Sequence, residues 1–301
     1  MDEPGLPLSE LIEDFARSLR AQRKAPKTVR AYTDAARKFA KWADDTRRSP
    51  FVASVTKGDV EAFIIDQLEA HTPATAAAYY RHLQQFWRWV VAEGEIPVSP
   101  MAGMSPPKLP ERPVPIYEPD ELRALLKAAE GQTFEARRDT AIVHMFIATG
   151  VRLAEMAGMA VERLARDEQA VLVIGKGDRA RWVPYGDKAA TALDRYLRLR
   201  RRRRADPESG PLWIGQRGAI TTSGITQMLR RLGRRAGVAD VRPHRFRHTS
   251  AHRAQVAGIT ESDLMEVFGW RSPEMVRKYG SSARAERARA AFRRLDLEAD
   301  L

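Results

Sequence analysis

Hydrophobic residues recur at helical spacing along the first third of the chain. One apolar stripe spans residues 8–19 and a second spans residues 29–42, each with the three- and four-residue steps of an amphipathic helix. A third stripe follows Thr56, a residue type that caps helices, and a fourth helix opens at Pro73 and ends near Gly94. The pattern predicts a bundle of four helices.

The remainder of the chain combines helices with short strands. Apolar runs at Ala170–Gly175 and Arg179–Tyr185 predict two antiparallel strands, joined by a turn at Lys176-Gly177-Asp178. Helices are expected at about 118–129, 134–148, 187–204, 222–236, 243–256, 261–268 and 272–279, with a tail helix at Ser282–Leu295. This pattern predicts a mixed α+β domain, mostly helical, with a small antiparallel sheet.

Seven prolines between Pro97 and Pro115 separate the two patterns. Proline has no backbone N–H and disrupts a helix interior, so this density favours an extended tether. We therefore predict a mainly α chain with a helical N-terminal domain at 1–95, a proline-rich linker at 96–116 and a second domain at 117–301.

The charge of the chain is unevenly distributed. Of the formal net charge of +12, residues 1–110 contribute +1 and residues 111–301 contribute +11. A strongly basic domain indicates a polyanionic partner, with nucleic acid the first candidate. Between Arg230 and Arg253, eight arginines accompany a single acidic residue. The candidate DNA-binding residues are Arg245 within this stretch and, outside it, Lys24, Lys27, Arg30, Arg81 and Arg88.

Aromatic residues alternate with basic ones in the fourth predicted helix, over residues 79–89. Aromatic stripes at helical spacing usually pack in a core, so we expect these rings to fill the centre of the bundle. Direct stacking on DNA bases is the alternative. The run from Arg200 to Arg204 is interpreted as the solvated C-terminal end of a helix, where the helix dipole favours cations.

Several classes of site are disfavoured by the composition. The chain has no cysteine, which excludes disulfides and thiolate metal sites, and no apolar run approaches the roughly 18 residues of a membrane span. We therefore expect a cytoplasmic protein that does not bind a membrane. The four-residue steps between His244, His248 and His252 could suggest a metal site, but neighbouring arginines would repel a cation. No metal site is expected.

Phosphodiester transfer without a metal requires cations near the non-bridging oxygens, a nucleophile and an acid for the leaving oxygen. Gly150 ends one predicted helix and Arg152 begins the next. Glu155 lies one turn further on, where it can brace a guanidinium or a nearby imidazole. Lys176 lies at the predicted hairpin tip. Taken singly, the first pair could be a surface salt bridge and the lysine an ordinary turn residue.

The segment near residue 244 is a more specific signal for this chemistry than Arg152, Glu155 or Lys176 taken singly. His244 and Arg247 lie three residues apart on a helix that opens at Pro243, so they share a face. Trp270 and Tyr279 follow, nine residues apart. A lone tyrosine is usually a core residue, so it is the order of the whole set that indicates chemistry.

This ordered set resembles the tyrosine recombinases, also called phage integrases. Their order Arg, Lys, His-x-x-Arg, His-or-Trp, Tyr is matched by Arg152, Lys176, His244, Arg247, Trp270 and Tyr279. Residues 8–95 resemble the family's helical, SAM-like core-binding domain, and residues 115–301 resemble its catalytic domain. The architecture is therefore expected to be the Xer-like two-domain one. Most family members have His where Trp270 stands.

The resemblance implies a site-specific DNA recombinase. Tyr279 would attack a scissile phosphate, forming a 3′-phosphotyrosyl link and releasing a 5′-hydroxyl, without metal, ATP or another cofactor. Arg152 and Arg247 would clamp the non-bridging oxygens. The remaining implied roles are acid/base partner of the tyrosine for His244, general acid for Lys176, hydrogen-bond donor and packing wall for Trp270, and supporting roles for Glu155 and His248.

The resemblance also implies the partners. The expected ligand is double-stranded DNA with specific recombination sites, bound by a homo-tetramer that is a monomer or weak dimer when free. A directionality factor or a second recombinase is a further expected partner. The tail helix is expected to dock on a neighbouring protomer, with docking on its own domain as the alternative. A type IB topoisomerase-like enzyme and a non-enzymatic DNA-binding regulator remain alternative functions.

Overall fold

The computed structural model describes residues 6–109, 115–175, 177–203, 206, 208–276, 289 and 292. The chain separates into two compact units, Met1–Glu111 and Arg112–Leu301. Each unit contains its own hydrophobic core. None of the described helices has both the length and the apolar composition needed to cross a bilayer.

The first unit contains the four predicted helices. They are α1 (Leu8–Ala21), α2 (Pro26–Asp45), α3 (Lys57–Ala70) and α4 (Pro73–Ala92). Prolines open α2 and α4, where a missing N–H costs no intrahelical bond. The Thr56 hydroxyl accepts a hydrogen bond from the Asp59 N–H, which confirms the predicted cap of α3.

The aromatic residues of α4 form the centre of this bundle. Phe86 and Trp87 are fully buried, and Trp87 packs edge-to-face against Phe39 of α2. Phe39 in turn makes an edge contact with Phe63 of α3. These rings are therefore core residues, as the pattern predicted, and each large ring removes a large apolar area from water.

The predicted linker packs in part against the bundle. Ile96 and Met101 are buried in the first core, and the Tyr80 hydroxyl donates a 2.7 Å hydrogen bond to the Met104 carbonyl. The described residues between 93 and 118 form neither helix nor strand. The N-terminal part of this proline-rich stretch is thus bound to the first unit.

The second unit is mostly helical with a small sheet. Its helices are α5 (Pro119–Ala129), α6 (Phe134–Thr149), α7 (Leu153–Ala157), α8 (Asp187–Arg201), α9 (Thr222–Ala236), α10 (Pro243–Val256) and α11 (Glu261–Phe268). Its strands are β1 (Leu164–Ala165), β2 (Ala170–Ile174), β3 (Ala180–Pro184), β4 (Ile214–Gly215) and β5 (Gly218–Ala219). The mainly α fold with a small antiparallel sheet is confirmed.

The three-stranded sheet has the order β1-β2-β3, with all neighbours antiparallel. Val171 pairs with Val183, and Val173 pairs with Arg181. The valines are buried in the second core. The sequence did not predict β1, β4 or β5, because two-residue strands are too short to show a period-two alternation.

The end of α8 differs from its prediction. Arg200 was expected to be solvated, but it is fully buried. Its guanidinium donates hydrogen bonds to the carbonyls of Ser209 and Pro211, at 2.9 and 2.8 Å. The expectation was wrong for this residue because the chain returns over the helix end and offers carbonyl acceptors that satisfy a buried guanidinium.

Two predictions near the C-terminus lie largely outside the described residues. The predicted helix at 272–279 is described only as far as Val276, and residues 273–276 are helical. Of the tail helix predicted at Ser282–Leu295, only residues 289 and 292 are described. Its predicted docking on a neighbouring protomer stays a prediction.

Gly150 ends α6 in the left-handed conformation, with φ of +56°. A Cβ at this position would lie 2.7 Å from Phe268 Cε1 and 2.9 Å from Ser250 Cβ. Only glycine combines this backbone angle with such a close approach of α10 and α11. The turn that leads to Arg152 therefore depends on Gly150.

Replacing Gly150 with alanine is expected to destabilise the protein by both strain and overpacking. Gly237, which ends α9 at φ +67°, is the matched control, because a Cβ added there would meet no atom within 4 Å. Gly150→Ala should lose roughly 1–3 kcal/mol more unfolding free energy than Gly237→Ala, the usual cost of overpacking. Urea denaturation measures both losses; equal losses would show that the packing around Gly150 relaxes freely.

Candidate active site

Three segments of the second unit meet at one cluster of charged side chains. They are the turn between α6 and α7, strand β3, and the turn after α11, with α10 packed beside them. Hydrogen bonds from Arg152, Arg181 and Arg247 join these segments. The cluster therefore assembles groups that lie more than a hundred residues apart in the chain.

Arg152 stands at the start of α7. Its guanidinium donates to Glu155 Oε1 at 2.9 Å and to the Gly269 carbonyl at 3.4 Å. The side chain remains 37% exposed, so part of the guanidinium faces solvent. Arg152 thus combines fixed orientation with access for an anion.

Glu155 is the acidic centre of the cluster. Its side chain is 2% exposed, and its oxygens accept hydrogen bonds from the side chains of Arg152 and Arg181 and from the Arg152 N–H. Burial alone would raise the pKa of Glu155, but these bonds and charges outweigh it and lower that pKa to about 2. The carboxylate is ionised at neutral pH.

Arg247 lies on α10 and is buried. Its guanidinium donates to the Gly150 carbonyl at 2.9 Å and to the Phe268 carbonyl at 2.6 Å. These acceptors are the carbonyls at the ends of α6 and α11, where the helix dipole favours a positive charge. Arg247 and Arg152 therefore contact adjacent carbonyls, of Phe268 and Gly269, and border the same turn.

Trp270 forms an apolar wall beside Arg247. The indole is nearly buried and stacks on Phe268, with ring centroids 4.8 Å apart. The Arg247 guanidinium carbon lies 5.0 Å from the Phe268 ring centroid and 5.3 Å from that of Trp270. Low local polarity on this side strengthens the electrostatic interactions of the guanidinium.

The two histidines of α10 differ in exposure. His244 is exposed and His248 is buried, and their rings meet edge-to-face with centroids 4.8 Å apart. His248 therefore packs against the ring of the exposed His244 from inside the second unit. Among the described residues, no three His, Asp or Glu side chains are arranged to hold a metal ion.

Two of the predicted site residues, Lys176 and Tyr279, lie outside the described residues. The flanks of Lys176 are described: the Gly175 N–H donates a 2.7 Å bond to the Arg179 carbonyl across the hairpin. A Cβ on Gly177 would lie 3.9 Å from the Arg271 guanidinium. The hairpin turn therefore approaches the residue that follows Trp270.

Arg181 belongs to the cluster but was not predicted. It stands on β3, with a side chain 9% exposed, and makes paired bonds to both oxygens of Glu155, at 3.0 and 2.9 Å. Its Nε donates to the Val267 carbonyl. The only sequence signal was its position among apolar residues of a predicted strand, on the face that also carries the buried Val183.

The candidate DNA-binding residues divide into two groups. Five of them are exposed and form no ion pair with any described residue: Lys24, Lys27, Arg30, Arg81 and Arg88. Arg245 is different, because it donates to the Ile116 carbonyl, pairs with Glu121 at 2.6 Å and covers the Tyr117 ring. This placement favours a structural role for Arg245 at the start of the second unit.

Helix α9 presents a cationic face that the residue-level prediction omitted. Its apolar side, including Ile225, Leu229 and Leu232, is buried. Its opposite side exposes four arginines that form no ion pair within the described chain: Arg230, Arg231, Arg234 and Arg235. The many arginines after residue 230 were the sequence signal for this surface. Their spacing along a helix places them together on one exposed face.

Two guanidinium groups that border one turn offer concentrated positive charge of the kind that suits an anion such as a phosphodiester. Two family models match the chain: "Phage integrase family" over residues 116–286 and "Phage integrase, N-terminal SAM-like domain" over residues 11–94. The chain belongs to the phage integrase family and is a tyrosine-type site-specific recombinase. The predicted resemblance and the Xer-like two-domain architecture are confirmed.

Individual relatives agree with this assignment. The chain is 36% identical over 203 residues to tyrosine recombinase XerC of Azotobacter vinelandii, covering 67% of each chain. The Tn1549 transposon integrase in complex with transposon right end DNA is similar in fold, with a TM-score of 0.76 and 18% identity over 95% of this chain and all of that one. A lambda integrase tetramer bound to a Holliday junction gives a TM-score of 0.73 at 16% identity, covering 92% and 78%.

The lowered pKa of Glu155 predicts an acid-dependent loss of stability. Because this pKa falls from the ordinary 4.5 to about 2 on folding, the contribution is complete above pH 4.5 and is lost as the pH falls toward 2. Urea unfolding of Glu155→Gln should show a flatter dependence in that interval than the unmodified chain. Glu168→Gln, at an exposed position, should keep the original slope; a parallel curve for Glu155→Gln would contradict the assignment.

Proposed function

We propose that this chain cleaves and rejoins DNA at specific sites through a 3′-phosphotyrosyl intermediate on Tyr279. The observation that carries the proposal is the convergence of Arg152 and Arg247 on the turn after α11. Two guanidinium groups at one place can neutralise the non-bridging oxygens of a single phosphate. Negative charge grows on those oxygens in the transition state, so stabilisation there lowers the barrier.

Tyr279 supplies the nucleophile. A phenol with a pKa of roughly 10 is a weak nucleophile at neutral pH, so it needs a proton acceptor or nearby positive charge. His244, exposed on α10, takes the role of acid/base partner. In the forward step the tyrosine oxygen bonds to phosphorus and the bond to the 5′-oxygen breaks.

Lys176 donates the proton to the departing 5′-oxygen. The approach of the hairpin turn to Arg271 supports a location near the site. Trp270 contributes a hydrogen-bond donor and an apolar wall, since an indole N–H cannot exchange a proton as imidazole does. The phosphotyrosyl link keeps the energy of the phosphodiester bond, so rejoining needs neither ATP nor a metal ion.

Double-stranded DNA is held by cations from both units. We assign Lys24, Lys27, Arg30, Arg81 and Arg88, together with the α9 face, as phosphate contacts. The N-terminal unit serves as the core-binding domain and the second unit as the catalytic domain, with the proline-rich stretch as the tether. Phosphate contacts of this kind position the protein on a duplex.

The active assembly is a homo-tetramer on two synapsed sites in the cytoplasm. The DNA-bound integrases of similar fold support this assembly, one of them a tetramer on a Holliday junction. A directionality factor or second recombinase acts at the same sites. A two-site recombination assay beside plasmid relaxation separates this activity from that of a type IB topoisomerase.

Tyr279→Phe should bind its target DNA normally yet trap no covalent complex, because only the nucleophilic oxygen is lost. Arg247→Ala should cleave roughly 100- to 1000-fold more slowly in a single turnover, as expected for a lost oxyanion donor. Suicide substrates followed by denaturing gels measure both. A denaturation-resistant adduct formed by Tyr279→Phe would refute the assignment of the nucleophile.

The α9 face should govern the salt dependence of DNA binding. Replacing both Arg230 and Arg234 with alanine should make the plot of log K against log salt less steep by about 0.9 for each phosphate that the variant no longer neutralises. Arg123→Ala is the matched control, because Arg123 is exposed on α5 but pairs with Asp120. An unchanged slope in the double variant would show that α9 does not bind DNA.

A further inference from the structure

We propose that Arg181 is a positioning residue for Arg152, acting through Glu155 and through the turn at Gly269. Arg181 touches no DNA in this scheme; it sets where the Arg152 guanidinium lies and how much net charge that guanidinium offers a phosphate. The inference rests on the proposed phosphate clamp and adds a further residue to it.

The Glu155 carboxylate is shared between the two arginines. Arg181 binds it through two parallel bonds, NH1 to Oε1 at 3.0 Å and NH2 to Oε2 at 2.9 Å. Arg152 uses the same oxygens, with NH1 to Oε1 at 2.9 Å and its backbone N–H to Oε2 at 2.8 Å. Rotation of the carboxylate would break bonds to both arginines, so Arg181 fixes the oxygen that Arg152 binds.

Arg181 also fixes the second acceptor of Arg152. Its Nε donates to the Val267 carbonyl at 2.9 Å, which ties β3 to the end of α11. The Arg181 guanidinium packs closely against Gly269: a Cβ added to this glycine would lie only 3.1 Å from the guanidinium carbon. The Gly269 carbonyl then accepts the 3.4 Å bond from Arg152. One side chain thus supports both acceptors that orient Arg152.

The charges have a second consequence. With Arg181 present, two guanidinium groups share one carboxylate, and the trio keeps a net charge of +1. Without Arg181, Glu155 would neutralise Arg152 alone, and the remaining pair would stabilise less of the negative charge that grows on the phosphate in the transition state. Because Arg152 is the more exposed of the two arginines, the surplus charge is presented at the solvent side.

Lysine cannot replace Arg181 in this role. A guanidinium is planar and forms two parallel bonds to a carboxylate while keeping a third donor for the Val267 carbonyl. An ammonium is a point charge without that fork. Arg181→Lys therefore keeps the charge of the cluster and loses its geometry.

The test is a double-mutant cycle on the rate of single-turnover DNA cleavage. Arg181→Met should cleave roughly 100-fold more slowly, the effect of a displacement of about 1 Å in a catalytic group. In an Arg152→Ala background, the same change should alter the rate by no more than about twofold, because its target is gone. If the double variant instead loses the product of the two single losses in cleavage rate, the two arginines act independently and the proposal is overturned.

A binding measurement separates positioning from a general structural role. The affinity of Arg181→Met for intact target DNA should stay within about twofold of the unmodified chain, within the usual error of independent effects, while the cleavage rate falls. Arg181→Lys preserves the charge, so it should stay folded by circular dichroism, and it should likewise bind DNA normally while cleaving it slowly. Normal cleavage by Arg181→Lys would show that the two parallel hydrogen bonds of a guanidinium are not required.

Arg200→Met is the matched control. Arg200 is also a buried arginine that donates to backbone carbonyls, but its acceptors at 209 and 211 lie in another loop. The substitution should lower the unfolding temperature without slowing cleavage in folded protein, and equal slowing would overturn the specific role of Arg181. If the unmodified chain forms no Tyr279 adduct, the proposed function fails; if it does and the losses multiply, only the positioning role fails.

Discussion

Glu155 lies buried between two guanidinium groups, and the geometry of the candidate site depends on that ion cluster. Removing a carboxylate from water costs several kcal/mol unless partners compensate. Here two arginine side chains and one backbone N–H provide the compensation. Loss of either arginine would leave a buried charge partly unpaired. The cluster therefore constrains α7, β3 and the turn after α11 at once.

The C-terminal ends of two helices bind the guanidinium groups of Arg247 and Arg152. Gly150 and Gly269 both end helices in the left-handed conformation, at φ of +56° and +61°. Their carbonyls accept bonds from Arg247 and Arg152 respectively. The negative end of each helix dipole thus favours a guanidinium, and glycine permits the sharp turn that presents the carbonyl. Two ordinary helix terminations therefore support the pair of guanidinium groups proposed to clamp a phosphate.

Much of this arrangement was predictable from the sequence. Periodicity located the helices of both units, and the order of Arg152, His244, Arg247 and Trp270 indicated the chemistry. Arg181 was missed because a charged residue inside a short strand gives no sign of its partner, which lies 26 positions earlier in the chain. Arg200 shows the same limit, since sequence cannot distinguish an arginine that binds carbonyls from one that faces solvent. The assignment of Tyr279 rests on sequence order, and that of Lys176 on sequence order together with the approach of its hairpin turn to Arg271.

The most direct measurement is to identify the residue that becomes linked to DNA. The purified chain is incubated, in buffer containing a chelator and no ATP, with a nicked duplex that carries its recombination site, and the adduct is digested and sequenced by mass spectrometry. The expected result is a single nucleotide-modified peptide with the 3′-phosphate on Tyr279. Linkage to another residue, or cleavage without any covalent adduct, would contradict the proposed mechanism.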